Sequence, residues 1–188
     1  MVSKTTSTAK FTVPGLSLAD GHQVAATLQG RLHALNDLQL TLKHAHWNVV
    51  GRDFIGVHTM LDPQIELVRA MIDETAERIA TLGDSPNGLP GALVRDRDWD
   101  DYALGRASTM EHLAALDVVY EGVVSSHRDA ISVIGKLDPI TEDMLIGQTA
   151  KLELFQWFMR AHLENSGGTL LNAETHTEKS AAAKTKKK

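Results

Sequence analysis

The chain contains no cysteine. That excludes a disulfide framework and any thiolate metal site, so a bound metal would depend on His, Asp or Glu. Only five of the 188 residues are proline, too few for a proline-rich linker or collagen-like chain. The first fifteen residues, MVSKTTSTAKFTVPG, contain no apolar stretch of the kind a secretory leader carries. No apolar run approaches the roughly 18 residues of a membrane helix. No segment reads convincingly as a strand, and there is no internal repeat. These absences lead to the expectation of a soluble cytoplasmic protein.

What is present is an ordinary globular composition, 43% hydrophobic and 23% charged, in a chain long enough for one domain with a sizeable core. The charge is unevenly placed. The net is −5, but the last ten residues, KSAAAKTKKK, carry five lysines and no acid, which leaves −10 on residues 1–178.

Apolar residues recur at helical spacing in four long stretches. Val24, Leu28, Leu32, Leu35, Leu42 and Ala45 predict a helix over 20–48, with Asp20 as its N-cap. A second helix over 56–82 carries Leu61, Ile65, Val68, Ile72 and Ile79 and stops at Gly83; Pro63 threatens a kink in it. Residues 84–102 form a long connection with room for one short helix. Helices over 104–136 and 140–164 follow. The expected fold is all-α, a four-helix bundle with a short extra helix between the second and third long helices. A flexible N-terminal arm is expected over 1–16, the bundle over 17–168, and a flexible lysine-rich tail over 169–188.

One short stretch carries chemistry: residues 46–62, HWNVVGRDFIGVHTMLD. His46 and His58 flank a glycine-containing break between helices, and Asp62 follows His58 by one helical turn. At 100° per residue, His58, Asp62, Glu66, Arg69, Asp73 and Glu77 all fall within about 100° of one face of the second helix. A polar face is first of all a solvated face. Against that, both histidines reach one region, and the side of the first helix that bears His46 is otherwise apolar, so its imidazole needs a partner. Imidazoles mixed with carboxylates suit iron, manganese or zinc better than calcium. A di-iron bundle normally draws on Glu-x-x-His pairs inside one subunit, and this chain has none. A site shared between subunits is the remaining geometry.

The stretch from His46 to Asp62, followed by DETAER from Asp73 to Arg78, resembles the Dps family of mini-ferritins across about residues 20–165, in particular actinobacterial members with a lysine-bearing tail. The resemblance implies a ferritin-like bundle assembled as a hollow dodecamer. Such a cage is a ferroxidase that oxidises Fe(II) with hydrogen peroxide, stores ferric iron and limits oxidative stress. It further implies that His46, His58 and Asp62 of one subunit meet Asp73 and Glu77 of another around two iron ions, the second held more weakly, with Trp47 beside them. Thr59 departs from the family pattern, where many members have an acid, but removes no ligand. Asp138, Glu142 and Asp143 suit the start of the fourth helix as capping residues; by resemblance they would line iron-entry pores. Lys179, Lys184, Lys186, Lys187 and Lys188, helped by Lys4 and Lys10, would hold DNA without sequence preference, because no interleaved aromatics offer base readout. That places the protein at the nucleoid.

The other candidates read as structural. His22, His33, His112, His127 and His162 suit packing or solvent, and His44 a surface or supporting position. Glu66 and Arg69 suit an i,i+3 ion pair, with Glu66 also placed to guide iron. A competing function is DNA compaction with minor iron chemistry. A metal-dependent hydrolase has no Ser/His/Asp arrangement behind it.

Overall fold

The computed structural model describes residues 9–186. Four long helices form the bundle: α1 (Leu18–Asn48), α2 (Phe54–Thr81), α4 (Thr109–Ile134) and α5 (Pro139–Leu163). A short helix α3 (Pro90–Asp96) interrupts the connection between α2 and α4, where an extra helix was expected. No helix among the described residues is long and apolar enough to cross a membrane.

The helix ends follow local chemistry. Ser17, not Asp20, caps α1: its hydroxyl accepts the Asp20 N–H at 3.1 Å. Ser108 and Glu111 form a reciprocal capping box at α4. Pro63 leaves α2 unbroken. The carbonyl it orphans, four residues back, belongs to Thr59, which is exposed and open to water. At the far end of α2, Gly83 takes φ 93°, and a Cβ there would overlap the Phe11 carbonyl oxygen. The N-terminal arm therefore lies against the bundle from residue 9: Val13 and Leu16 pack on the lower core. Over 9–16 the arm expected to be flexible is placed against the bundle; residues 1–8 lie outside the described residues.

The topology follows from two residues of strand on each side. β1 (Val49–Val50), directly after α1, pairs in parallel with β2 (Ala107–Ser108), directly before α4. So α4 begins at the end where α1 finishes, while α2 ends beside the start of α1. The segment 84–106 must run the length of the bundle, about 45 Å for a helix of 31 residues. Two apolar clusters fill the interior, one around Leu42, Leu61, Leu116 and Phe155, the other around Leu28, Ile79, Ile134 and Leu145.

Polar groups inside are mostly satisfied. Tyr120, fully buried, donates to Gln64 Oε1 at 2.7 Å. His127 is also fully buried, with Nδ1 bonded to the Val123 carbonyl at 3.1 Å. Burial, aided by the nearby Arg31 charge, pushes its pKa down to about 4.

The tail departs from expectation. After α5 the chain folds back, Leu171 N–H to Leu163 carbonyl at 2.9 Å, and Asn172 donates to the buried Asp117 at 2.8 Å. Helix α6 (Glu178–Thr185) then packs on α4 with Ala181 and Ala182 buried. The segment expected as a flexible tail from 169 is thus placed on the bundle up to residue 186. Its helix has readable causes: a Thr177/Ser180 capping box, three consecutive alanines, and side chains small enough for close approach to α4.

Two outcomes follow for stability. Gly83→Ala should cost about 1–3 kcal/mol through backbone strain and overlap; an unchanged Tm would refute the close passage of the arm. His127 stays neutral in the fold while the unfolded chain binds a proton near pH 6.5. Its share of stability is therefore present above that pH and is lost as pH falls towards 4, by up to about 3 kcal/mol. His127→Gln should flatten the decline in Tm between pH 7 and 4.5; an identical decline would reject the buried neutral imidazole.

Candidate metal centre

The two histidines meet where α1 hands over to α2. Gly51 at φ 94° and Asp53 at φ 61° turn the chain between the helices. The turn brings the imidazoles into a stack, ring centroids 3.6 Å apart and planes at 24°. Each ring bonds the other residue's backbone: His46 Nδ1 to the His58 carbonyl and His58 Nδ1 to the His46 carbonyl, both at 2.9 Å. A carbonyl only accepts, so both Nδ1 atoms carry a proton, and in the neutral ring it is Nε2 that holds the lone pair. Metal-binding histidines are commonly fixed this way, through the nitrogen that does not bind.

Asp62 completes the cluster. Its Oδ1 lies 3.4 Å from His46 Nδ1 and 3.2 Å from Lys43 Nζ. The His46 proton is directed at the closer His58 carbonyl, so Lys43 is the stronger partner of Asp62. The His46 side chain is 8% exposed and that of Asp62 49%, so the cluster opens at the carboxylate. Phe54 packs on the His58 ring at 4.9 Å. Trp47, next to His46, is 69% exposed: a large apolar surface beside the cluster with nothing from its own chain over it.

Asp73 and Glu77 do not join this cluster. They lie on the same helix, about 16 and 22 Å further along by helical rise. Both are exposed and neither side chain has a hydrogen bond or ion pair among the described residues. Among those residues no group of three His, Asp or Glu could hold a metal ion. One chain therefore presents two separate parts along α2: the His46–His58 pair with Asp62 at the end where α1 meets it, and two unengaged carboxylates at the other.

The remaining expectations divide. Asp138 is engaged within its own chain, in the capping role its position suggests. It caps α5, bonds Arg78 at 2.6 Å and Thr141, and is 5% exposed. Burial alone would raise its pKa, but the Thr141 and Arg78 bonds and the Arg78 charge outweigh that and hold it below the usual range. Glu142 folds over Gly135 at the end of α4, and Asp143 is exposed. Glu66 and Arg69 do not form the expected i,i+3 pair; both are exposed, and neither has a side-chain partner among the described residues. His44 bonds the Leu104 carbonyl at 2.8 Å and so holds the crossing connection. Lys179 is exposed, Lys184 bonds the Ala173 carbonyl, and Lys186 pairs with Glu111 at 2.9 Å. Lys10 is exposed; Lys4, Lys187 and Lys188 lie outside the described residues. A cavity of about 840 Å³ opens between α1, α4 and the tail, and none of the five candidate metal ligands lines it.

Sequence reasoning missed Lys43 as a partner of Asp62. Its signal was positional: three residues before His46, it shares that helix face.

The comparisons agree with this architecture. Residues 25–167 match the family described as Ferritin-like domain. The chain is 56% identical over 178 residues to the DNA protection during starvation protein of Mycolicibacterium smegmatis, covering 95% of this chain and 97% of that one. It is 54% identical over 162 residues to the fine tangled pili major subunit of Haemophilus ducreyi, covering 86% of each. Among solved structures, DpsA14 from Streptomyces coelicolor superposes with a TM-score of 0.85 at 60% identity, covering 87% of this chain and 97% of that one. With its helical order, its crossing connection and this similarity over nearly its whole length, the chain belongs to the Dps (DNA protection during starvation) family of ferritin-like proteins.

Proposed function

We propose that the protein is a peroxide-using ferroxidase whose centres form between subunits of a hollow cage. The observation that carries this is the reciprocal bracing of His46 and His58, which leaves two Nε2 atoms as metal donors at one end of a face whose other end carries two unengaged carboxylates. The parts cannot meet within one chain. They meet if a second copy lies antiparallel, so that Asp73 and Glu77 of one subunit complete the His46, His58 and Asp62 of the other. The family's dodecamer is the assembly this reading adopts.

Fe(II) is the substrate. Imidazole and carboxylate suit it, and a set this small leaves coordination positions open for the oxidant. Lys43 holds Asp62 in place and offsets its charge until a cation arrives. Two Fe(II) ions each give up one electron; hydrogen peroxide takes both, together with two protons, and its O–O bond breaks to yield two waters. Transfer in pairs avoids the one-electron cleavage that releases hydroxyl radical. Exposed Trp47 lies one residue from a ligand and becomes covered when a partner docks. Ferric iron then passes to the interior, where storage follows from detoxification. Glu142 and Asp143 remain candidates for lining an entry path.

The same molecule binds DNA through its tail in this reading. The body is acidic, so phosphate contact falls to the lysines of α6 and the residues after it. Lys179 is exposed, whereas Lys186 is engaged with Glu111. The names of relatives, which concern DNA protection, favour this role. A purely structural, DNA-compacting protein is the second reading, and the exposed lysine of α6 is the observation behind it.

The test of the first reading is an anaerobic titration of Fe(II)-loaded protein with hydrogen peroxide. Wild type should consume one peroxide for every two Fe(II). The His46→Ala, His58→Ala double variant should lose at least tenfold in rate while keeping the wild-type mass by light scattering. Equal rates in intact assemblies would reject the centre and leave the DNA reading in front.

For the tail, Lys179→Gln, Lys184→Gln, Lys187→Gln and Lys188→Gln together keep the buried alanines of α6 in place. DNA retardation at low salt should disappear while iron oxidation stays unchanged, and wild-type retardation should fade steeply as salt rises. Retardation that survives the four substitutions would move the DNA contact elsewhere.

A further inference from the structure

The spacing of the two half-sites contains a register. His58 and Asp62 stand at one end of the α2 face, Asp73 and Glu77 at the other. One midpoint, between Leu67 and Val68, bisects both Asp62 with Asp73 and His58 with Glu77. If two copies meet about a two-fold axis, the axis must cross α2 there for both half-sites to close. The same midpoint also bisects Glu66 and Arg69.

We propose that Glu66 of each chain pairs with Arg69 of the other across this axis, as the key that sets the register of the α2–α2 interface. This rests on the two-copy reading above and adds residues that are not ligands. Three observations carry it. Glu66 and Arg69 lie within the same stripe of α2 as the four α2 ligands, within about 40° of Asp62 on either side. Both are exposed and, despite i,i+3 spacing that favours pairing with each other, neither side chain has a hydrogen bond or ion pair among the described residues. Each stands about 2 Å along the helix from the axis, so in an antiparallel pair the acid of one chain comes level with the base of the other. Ala70, small and exposed, and Pro63 flank the contact and leave room for close approach.

The consequence is specificity of register. A slip of three residues would set Glu66 against Glu66 in one direction or Arg69 against Arg69 in the other, and would separate both half-sites at once. The partner is a second copy of this chain, and each such interface closes two centres together.

Charge reversal tests it. Glu66→Arg presents two arginines to two arginines across the axis; Arg69→Glu presents acid to acid. Each variant alone should lose at least tenfold of the wild-type-mass species at about 150 mM salt, where contact pairs still act, while its circular dichroism stays helical. Mixing the two variants should restore that mass, because each now complements only the other. The chain carrying both reversals, Glu66→Arg with Arg69→Glu, should assemble by itself. Wild-type assembly by both single variants would overturn the proposal, and so would failure of both the mixture and the double variant to assemble while folded. Mass reports the register and peroxide consumption reports the iron chemistry, so the two readings fail separately. Rescue of mass in a protein that oxidises no iron keeps the key and removes the ferroxidase; oxidation by wild type without rescue removes the key alone.

Discussion

The pair of imidazole-to-carbonyl bonds between His46 and His58 is the constraint on which the rest of the site depends. They cross-link the last turn of α1 to the first turns of α2 and fix the orientation of both rings in one step. The carbonyls they use belong to the residues themselves, so the brace needs no third side chain. The His46 carbonyl lies in the last turn of α1, where carbonyls lack a partner within the helix and an additional donor is welcome. The effect of the brace is chemical as well as structural: the protonated nitrogen is assigned by geometry, and the donor nitrogen is left over.

The fold serves this junction from the other side. The crossing connection returns along the bundle and ends in β2, whose two residues pair with β1 immediately after His46, Trp47 and Asn48. Thr109, the first residue of α4, donates to the Arg52 carbonyl within the turn at 3.0 Å, and His44 holds the connection through Leu104. The turn that carries the histidines is thus clamped by the beginning of α4. A histidine pair on a free hairpin loop would lose ring orientation to loop motion; this one is tied to three of the four long helices. At the opposite end the Arg78–Asp138–Thr141 group fixes the last turn of α2 to the cap of α5, one residue from Glu77. The helix bearing both half-sites is therefore anchored at both ends, and the distance between them is held constant.

Much of this was legible in the sequence, for definite reasons. Period-3.6 apolar spacing marked all four long helices because each buries one stripe against its neighbours, and glycine and proline marked their ends. The extra helix in the connection was expected and α3 is there. The His46–Asp62 stretch stood out because imidazoles across a turn have few other uses. What escaped reading depended on contacts between distant segments. Asp138 was legible as a cap, but its ion pair was not, because Arg78 lies sixty residues away. Glu66 and Arg69 looked like a local pair because spacing alone cannot show rotamers. The tail looked disordered because lysines and alanines carry no apolar period, yet two alanines suffice when Asn172 and Asp117 have already brought the segment onto α4. The reciprocal carbonyl bonds could not be inferred at all, since backbone acceptors have no residue type.

A half-site on each chain has a consequence for control that a self-contained site would lack. In the proposed reading, no isolated subunit holds iron with more than part of the ligand set, so affinity and redox chemistry appear only where two copies meet. Association and iron binding are then linked: iron that prefers the completed site stabilises the assembled state by mass action, and assembly in turn raises affinity for iron by the same factor. Oxidation is thereby confined to the place where the product can be enclosed. A newly made chain carrying exposed Trp47 and the open Asp62 face would present a peroxide with too few ligands to position two ferrous ions. The absence of an intrachain Glu-x-x-His pair is on this view a positive feature of the sequence: it removes the one geometry that would let a lone bundle run the reaction outside a cage.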